Sequence, residues 1–127
     1  MIVCFNGKFV DARKVKISPF DHGFLYGDGV YETMRTYKGK PWQLFLHLKR
    51  LRNSLKIARI QSSWNMKELE MLIFKLIQKN HYPESRIRLM MSRGVSVTKG
   101  AIFQPISAKS LHQQSTLFIS CYRISEW

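Results

Sequence analysis

Tyr26-Gly27-Asp28-Gly29-Val30-Tyr31-Glu32-Thr33-Met34-Arg35-Thr36-Tyr37 is the stretch on which the reading of this chain turns. From Val30 to Tyr37 the residues alternate. Val30, Glu32, Met34 and Thr36 share one face and Tyr31, Thr33, Arg35 and Tyr37 the other, which is the period-two signature of a strand. Gly27 and Gly29, on either side of Asp28, allow a tight reversal with positive φ at its entry. Lys38-Gly39 then turns the chain into Pro41-Trp42-Gln43-Leu44, a second hairpin. Directly afterwards Leu44, Leu48, Leu51 and Leu55 recur at four, three and four, so an amphipathic helix is expected from Phe45 to about Ala58. That helix carries His47-Leu48-Lys49-Arg50-Leu51.

Outward from this core the pattern continues. Asn6-Gly7, between Ile2–Phe5 and Lys8–Val10, tolerates positive φ twice and predicts a tight hairpin. Ile17 to Phe24 reads as loop, with Pro19 and Gly23 as breakers. Asn65-Met66-Lys67-Glu68 has the form of a capping box, and Leu69, Leu72, Ile73, Leu76 and Ile77 give the buried face of a second helix that ends at His81-Tyr82-Pro83. Arg86 to Ser92 alternates as a strand. Gly94 to Ser115 reads as a long polar loop, of a length that is usually functional or disordered. Thr116 to Ile124 is a last strand. Strands, helices and strands without strict alternation indicate an α+β fold, with a mostly antiparallel sheet and two main helices packed on it.

The 127 residues correspond to one domain, and 45% aliphatic and aromatic content belongs to a folded one. No apolar run approaches the roughly 18–20 residues that cross a bilayer. Cys4 and Cys121 lack metal or redox spacing, so reduced, buried thiols in a cytoplasmic protein are expected. The outlier is a net charge of +13, from 21 Lys and Arg against 8 Asp and Glu. It admits nucleic acid, an acidic membrane or anionic small molecules as partners. The densest cluster is Lys49, Arg50, Arg52, Lys56 and Arg59, which also reads as a solvated helix face.

Arg50 is the first candidate for chemistry. Flanked by core leucines, it keeps its charge and offers a planar fork suited to phosphate oxygens, or else forms a surface ion pair. His47, three residues earlier on the same helix side, reads as a hydrogen-bonded histidine that orients a strand or Arg50. Gly27 and Gly29 read as backbone geometry rather than a phosphate cradle, because a strand and not a helix follows them. Tyr31 can orient a substrate carboxylate or simply pack, whereas Glu32, if buried, needs a cationic partner. Nothing resembles a zinc site, a P-loop, a nucleophile elbow or a glycosidase carboxylate pair.

Together with Asp21-His22-Gly23-Phe24, the segments Tyr26–Glu32 and His47–Leu51 resemble the N-terminal domain of fold-type IV pyridoxal 5'-phosphate (PLP) enzymes. These are the branched-chain and D-amino-acid aminotransferases and the aminodeoxychorismate lyases. The resemblance spans about residues 2–124. It implies that Arg50 binds the cofactor phosphate, that Tyr31 and Tyr26 line the substrate pocket, and that Glu32 lies near the hydrogen-bond network of the Schiff-base lysine. Arg88 and Ser92-Arg93-Gly94 match the family's strand-then-glycine segment, and the loop from Val95 to Ala101 is expected to approach the substrate. Thr98-Lys99-Gly100 stands where D-amino-acid aminotransferases have Arg-x-His. Lys99-Gly100-Ala101 stands where the lyases have Arg-Gly-Tyr, which leaves Lys99 as a point charge for a carboxylate.

The family's lysine belongs to a second domain with no match in this chain, so residues 1–127 are expected to form an N-terminal domain that is inactive alone. The implied activity of the complete protein is amino-group transfer between an amino acid and a 2-oxo acid, in a cytoplasmic homodimer without nucleic-acid or membrane partners. Aminodeoxychorismate lyase, which makes p-aminobenzoate for folate, is the alternative within the family. A non-catalytic interaction module and a basic nucleic-acid-binding domain are the alternatives outside it.

Overall fold

The computed structural model describes residues 1–95 and 114–125. Six strands form one sheet in the order β2-β1-β6-β5-β3-β4, and each neighbouring pair is antiparallel. The strands are β1 (Ile2–Phe5), β2 (Lys8–Asp11), β3 (Gly29–Tyr37), β4 (Lys40–Pro41), β5 (Ser85–Val95) and β6 (Gln114–Arg123). Two helices of 15 residues, α2 (Leu44–Ala58) and α3 (Met66–Asn80), cover one face of the sheet. The fold is therefore the α+β arrangement that the sequence predicts.

Local chemistry sets the turns. Asn6 and Gly7 have φ of 49° and 79°, and Lys38 and Gly39 have 49° and 74°. Both are two-residue reversals with positive φ twice, whose twist suits a hairpin. At α3, Asn65 Oδ1 accepts the Glu68 N–H at 2.9 Å and Glu68 Oε2 accepts the Asn65 N–H at 2.8 Å, so two orphan donors are satisfied reciprocally.

The core follows from strand alternation and helix stripes. Met34, Ile87, Leu89, Met91, Leu117 and Ile119 point from the sheet toward Leu48, Leu51 and Leu55 of α2 and Leu72, Ile73 and Leu76 of α3. Each fully buried aliphatic side chain contributes roughly 1.5–3 kcal/mol. A polar pair lies within this layer at one end of the sheet. The Ser85 N–H donates to Thr36 Oγ1 at 2.7 Å, and the two hydroxyls lie 3.0 Å apart, joining the end of β3 to the start of β5. Cys4 and Cys121 are buried free thiols, and burial pushes both thiols up from their ordinary pKa. No helix among the described residues is long and apolar enough to cross a membrane.

Four details differ from the sequence reading. Residues His22–Tyr26 form a short helix, α1, inside and beyond the expected loop. The Asp21 carboxylate caps it by accepting the Gly23 N–H at 2.7 Å, and Gly27 ends it at φ 64°. Gly29, expected to share that positive φ, does not. Instead, a Cβ there would lie 3.0 Å from the Met91 carbonyl oxygen, so its glycine is favoured by close strand approach. The second hairpin is short: β4 stops at Pro41, and Leu44 already begins α2. Gly94–Val95 and Gln114–Ser115, read as loop, are strand ends.

Between Ser92 and Val95 the β5–β6 register shifts, and Gly94 takes φ 83° there. A Cβ on Gly94 would sit 1.8 Å from the Gln114 carbonyl oxygen, whereas one on Gly27 would meet open space. Gly94→Ala is therefore expected to cost about 3 kcal/mol or more, and Gly27→Ala about 1 kcal/mol. Denaturant unfolding of the two variants checks this, and equal losses would refute the close-approach account of Gly94.

Candidate active site

Glu32 projects from β3 to the helix-covered face and is 3% exposed. A carboxylate buried to that extent needs compensation. It receives three hydrogen bonds from α2, in which the leucine spacing turns His47 and Arg50 toward the same strand. Arg50 Nε donates to Oε1 at 2.7 Å and Nη2 donates to Oε2 at 2.7 Å, a bidentate fork. The His47 ring, through Nδ1, reaches Oε2 at 2.8 Å. The Arg50 side chain is 67% exposed, so the pair spans the boundary between core and surface. Among the described residues, the three remaining N–H donors of the guanidinium have no protein acceptor. Arg50 is thus held as an ion pair and presents the outer edge of its fork outward. The ion-pair reading of this residue is the one the geometry displays.

Burial alone would push the Glu32 carboxyl up. The hydrogen bonds and charges of Arg50 and His47 outweigh it and hold the group below its ordinary value. The same pairing pushes the Arg50 guanidinium up.

On the opposite face, strand alternation exposes Tyr31. Arg88 of β5 stacks over the Tyr31 ring, with its Cζ 4.3 Å from the centroid. Together they line a pocket of about 650 Å³ whose other walls include Ile17, Pro19, Phe24, Val30, Met90 and Phe118. The 17–24 segment is fixed as a wall by Asp21. This carboxylate, 3% exposed, accepts from Ser92 Oγ at 2.7 Å and Thr116 Oγ1 at 2.6 Å besides capping α1. Below the turn, Arg93 pairs with Asp28 at 2.5 Å and with the carbonyl oxygens that close α2.

Of the expected site residues, the structure brings Glu32, His47 and Arg50 together, and it sets Tyr31 on the other sheet face. Gly27 and Gly29 adjoin the pocket beside Tyr31. Tyr26 is not among the pocket walls; its ring meets His22 edge-on with centroids 5.2 Å apart. Lys99 lies outside the described residues. No cluster of three or more metal-ligating side chains occurs among the described residues. The sequence reading missed Asp21, Asp28 and the Arg93 clamp. The only signals present were single charged residues, two of them beside glycines, and their partners across the fold lie 34 to 95 positions away.

Because the folded pKa of Glu32 lies below its unfolded value of ~4.3, the unfolded chain binds the proton more tightly. The stabilisation is complete above that value and is lost as pH falls through the lower, folded one. Glu32→Gln is accordingly expected to be destabilising near neutrality, with a deficit that shrinks as the pH is lowered from ~6 to ~3. Urea unfolding of both proteins across this range checks it, and a deficit independent of pH would count against the ion pair as its source.

Residues 29–125 match the family model for amino-transferase class IV. The aminodeoxychorismate lyase of Bacillus subtilis is 38% identical over 105 residues, which is 81% of this chain and 36% of that protein. A D-alanine aminotransferase of Staphylococcus haemolyticus is 31% identical over 94 residues, 74% of this chain and 33% of that protein. A branched-chain amino acid aminotransferase from T.th., solved with pyridoxamine 5'-phosphate, superposes with a TM-score of 0.81 at 25% identity, covering 99% of this chain and 40% of that one. This chain therefore spans about a third of the length of its curated relatives. With the match running from the entry of β3 to the end of β6, the chain belongs to the class IV aminotransferase family.

Proposed function

We propose that this chain is the N-terminal domain of a PLP-dependent transaminase and that Arg50 anchors the phosphate of the cofactor. The observation that carries this reading is the orientation of Arg50. Glu32 holds the plane of its guanidinium, His47 fixes Glu32 from the other side, and three N–H donors face outward. A preset guanidinium edge suits phosphate oxygens, because its fork loses little freedom on binding. In this reading Glu32 and His47 act through Arg50. The pyridoxamine phosphate in the superposed branched-chain aminotransferase supports a cofactor of this class.

When bound, PLP supplies an electron sink for bond breaking at an amino acid's Cα, and the lysine that carries it belongs to polypeptide outside these residues. The part of this chain is to bind and orient. The mostly apolar walls of the 650 Å³ pocket exclude water and receive an aliphatic or aromatic side chain, while Arg88, braced on Tyr31, offers a cation to a carboxylate. Substrates of the complete protein are thus amino acids and 2-oxo acids with apolar side chains. Lys99 adds a second cation for that carboxylate, and the complete protein works as a cytoplasmic homodimer. The 38% identity to a lyase supports the second reading, release of an aromatic amine from aminodeoxychorismate.

Joining this chain to a lysine-bearing C-terminal domain tests the proposal. In that protein Arg50→Ala is expected to weaken PLP binding by about 10- to 100-fold, as loss of charge-assisted hydrogen bonds would, with the fold retained. Unchanged affinity rejects the phosphate role. Arg88→Met is expected to raise KM for a 2-oxo acid about tenfold or more and to leave PLP affinity alone. Formation of pyruvate and p-aminobenzoate from aminodeoxychorismate, without transamination, would replace the transaminase reading by the lyase.

A further inference from the structure

Arg93 makes more polar contacts than the expected site residues do. Its side chain, 11% exposed, donates from Nε to Asp28 Oδ2 at 2.5 Å and from Nη2 to Asp28 Oδ1 at 3.2 Å. The same guanidinium donates from Nη2 to the Ala58 carbonyl at 2.9 Å and from Nη1 to the Arg59 carbonyl at 2.8 Å. Its backbone N–H donates to the Asp28 carbonyl at 3.1 Å. One residue of β5 thus ties the turn before β3 to the C-terminal carbonyls of α2.

The spacing gives this clamp its meaning. Asp28 precedes Glu32 by four residues, about 13 Å along an extended strand. Ala58 and Arg59 follow Arg50 by eight and nine residues, about 12–13 Å along a helix. The two spans are equal, so Asp28–Arg93–Ala58/Arg59 and Glu32–Arg50 are two rungs between β3 and an antiparallel α2. Apolar packing alone sets such a register weakly, because the leucine stripe of α2 nearly repeats itself every turn. A fork that bonds two specific carbonyls repeats nowhere else, since the carbonyls inside the helix are already taken.

We propose that Arg93 is a positioning residue that fixes the axial register of α2 against β3 and thereby sets the Arg50 guanidinium on Glu32. Its relevance to catalysis rests on the phosphate role given to Arg50, but the register itself does not. The charged group bonded to Arg93 is Asp28; those facing Glu32 are His47 and Arg50.

The test uses the 127-residue chain in solution, with Arg93→Met, Arg93→Lys and Leu76→Ala. Methionine keeps a comparable stem and loses every side-chain bond. Lysine keeps the charge and can reach one acceptor but not the fork. Leu76, fully buried on α3, serves as a destabilising control that belongs to neither rung. Carbon-13 NMR follows the titration midpoint of the Glu32 carboxyl, and nitrogen-15 NMR the exchange of the Arg50 Nε–H. Arg93→Met is expected to raise the Glu32 midpoint by roughly half a pH unit to one unit and to speed Arg50 Nε–H exchange about tenfold. Arg93→Lys is expected to fall between, and Leu76→Ala to leave both readouts in place while lowering the unfolding midpoint.

Unchanged Glu32 and Arg50 signals in a folded Arg93→Met overturn the proposal, as does an equal response in Leu76→Ala. If the methionine variant does not fold, the same two readouts on Arg93→Lys decide. If neither folds, Arg93 holds the whole domain rather than this register, and the proposal falls. Neither readout involves cofactor, so failure here leaves the phosphate reading of Arg50 standing. Failure of that reading likewise leaves this register intact.

Discussion

A carboxylate held almost entirely out of water, with a guanidinium half in water to neutralise it, is the constraint around which this domain is arranged. Glu32 could not remain ionised on the helix side of the sheet without Arg50, and Arg50 would sample many directions without Glu32. The pair joins a strand to the helix that follows it after the short hairpin through β4. It therefore ties local chain geometry to the orientation of a charge at the surface. His47, one turn earlier, adds a second donor to the same oxygen and leaves the carboxylate little freedom to rotate away.

Around this pair the sheet acts as a partition. Its helix-covered side stores the apolar core and the ion pair, and its other side carries the pocket with Arg88 and Tyr31. Alternation along β3 alone separates the two environments, since Tyr31 and Glu32 are neighbours in sequence. The residues that hold the outer side in shape are a buried Asp21 and the half-buried Ser92 and Thr116 that donate to it. A pocket wall is thus fixed by groups that themselves belong to no apolar stripe.

What could be read from the chain was what the chain encodes locally. The leucines at 44, 48, 51 and 55, the box at Asn65 and Glu68, and the paired positive-φ residues at Asn6-Gly7 and Lys38-Gly39 each act within a few positions. The helices and the first turn appear in the structure as expected, and Lys38-Gly39 turns the chain, though into a shorter hairpin. The requirement that a buried Glu32 have a cation was also legible, because it follows from desolvation. The five-residue helix after Asp21 was not, since it is too short to show a stripe and is held by a cap whose other partners lie 71 and 95 residues away. Gly29 looked like a turn residue, yet its lack of a side chain serves the approach of the β5 backbone, a fact of pairing rather than of sequence. Arg93 was likewise invisible as a clamp until strand register brought it beside Asp28.

The small polar contact between Thr36 and Ser85 has a consequence for how this segment can vary. It pins the far end of the β3–β5 ladder, while Gly29 opposite Ser92 pins the near end. Between these anchors, parity is fixed. Deleting or inserting one residue would swing an aromatic ring into the hydrocarbon layer and push an acid onto the pocket side. Length changes here are tolerable only in even steps or at the hairpin tip, and a lineage carrying an odd one would have to exchange the chemistry of the two faces to survive it.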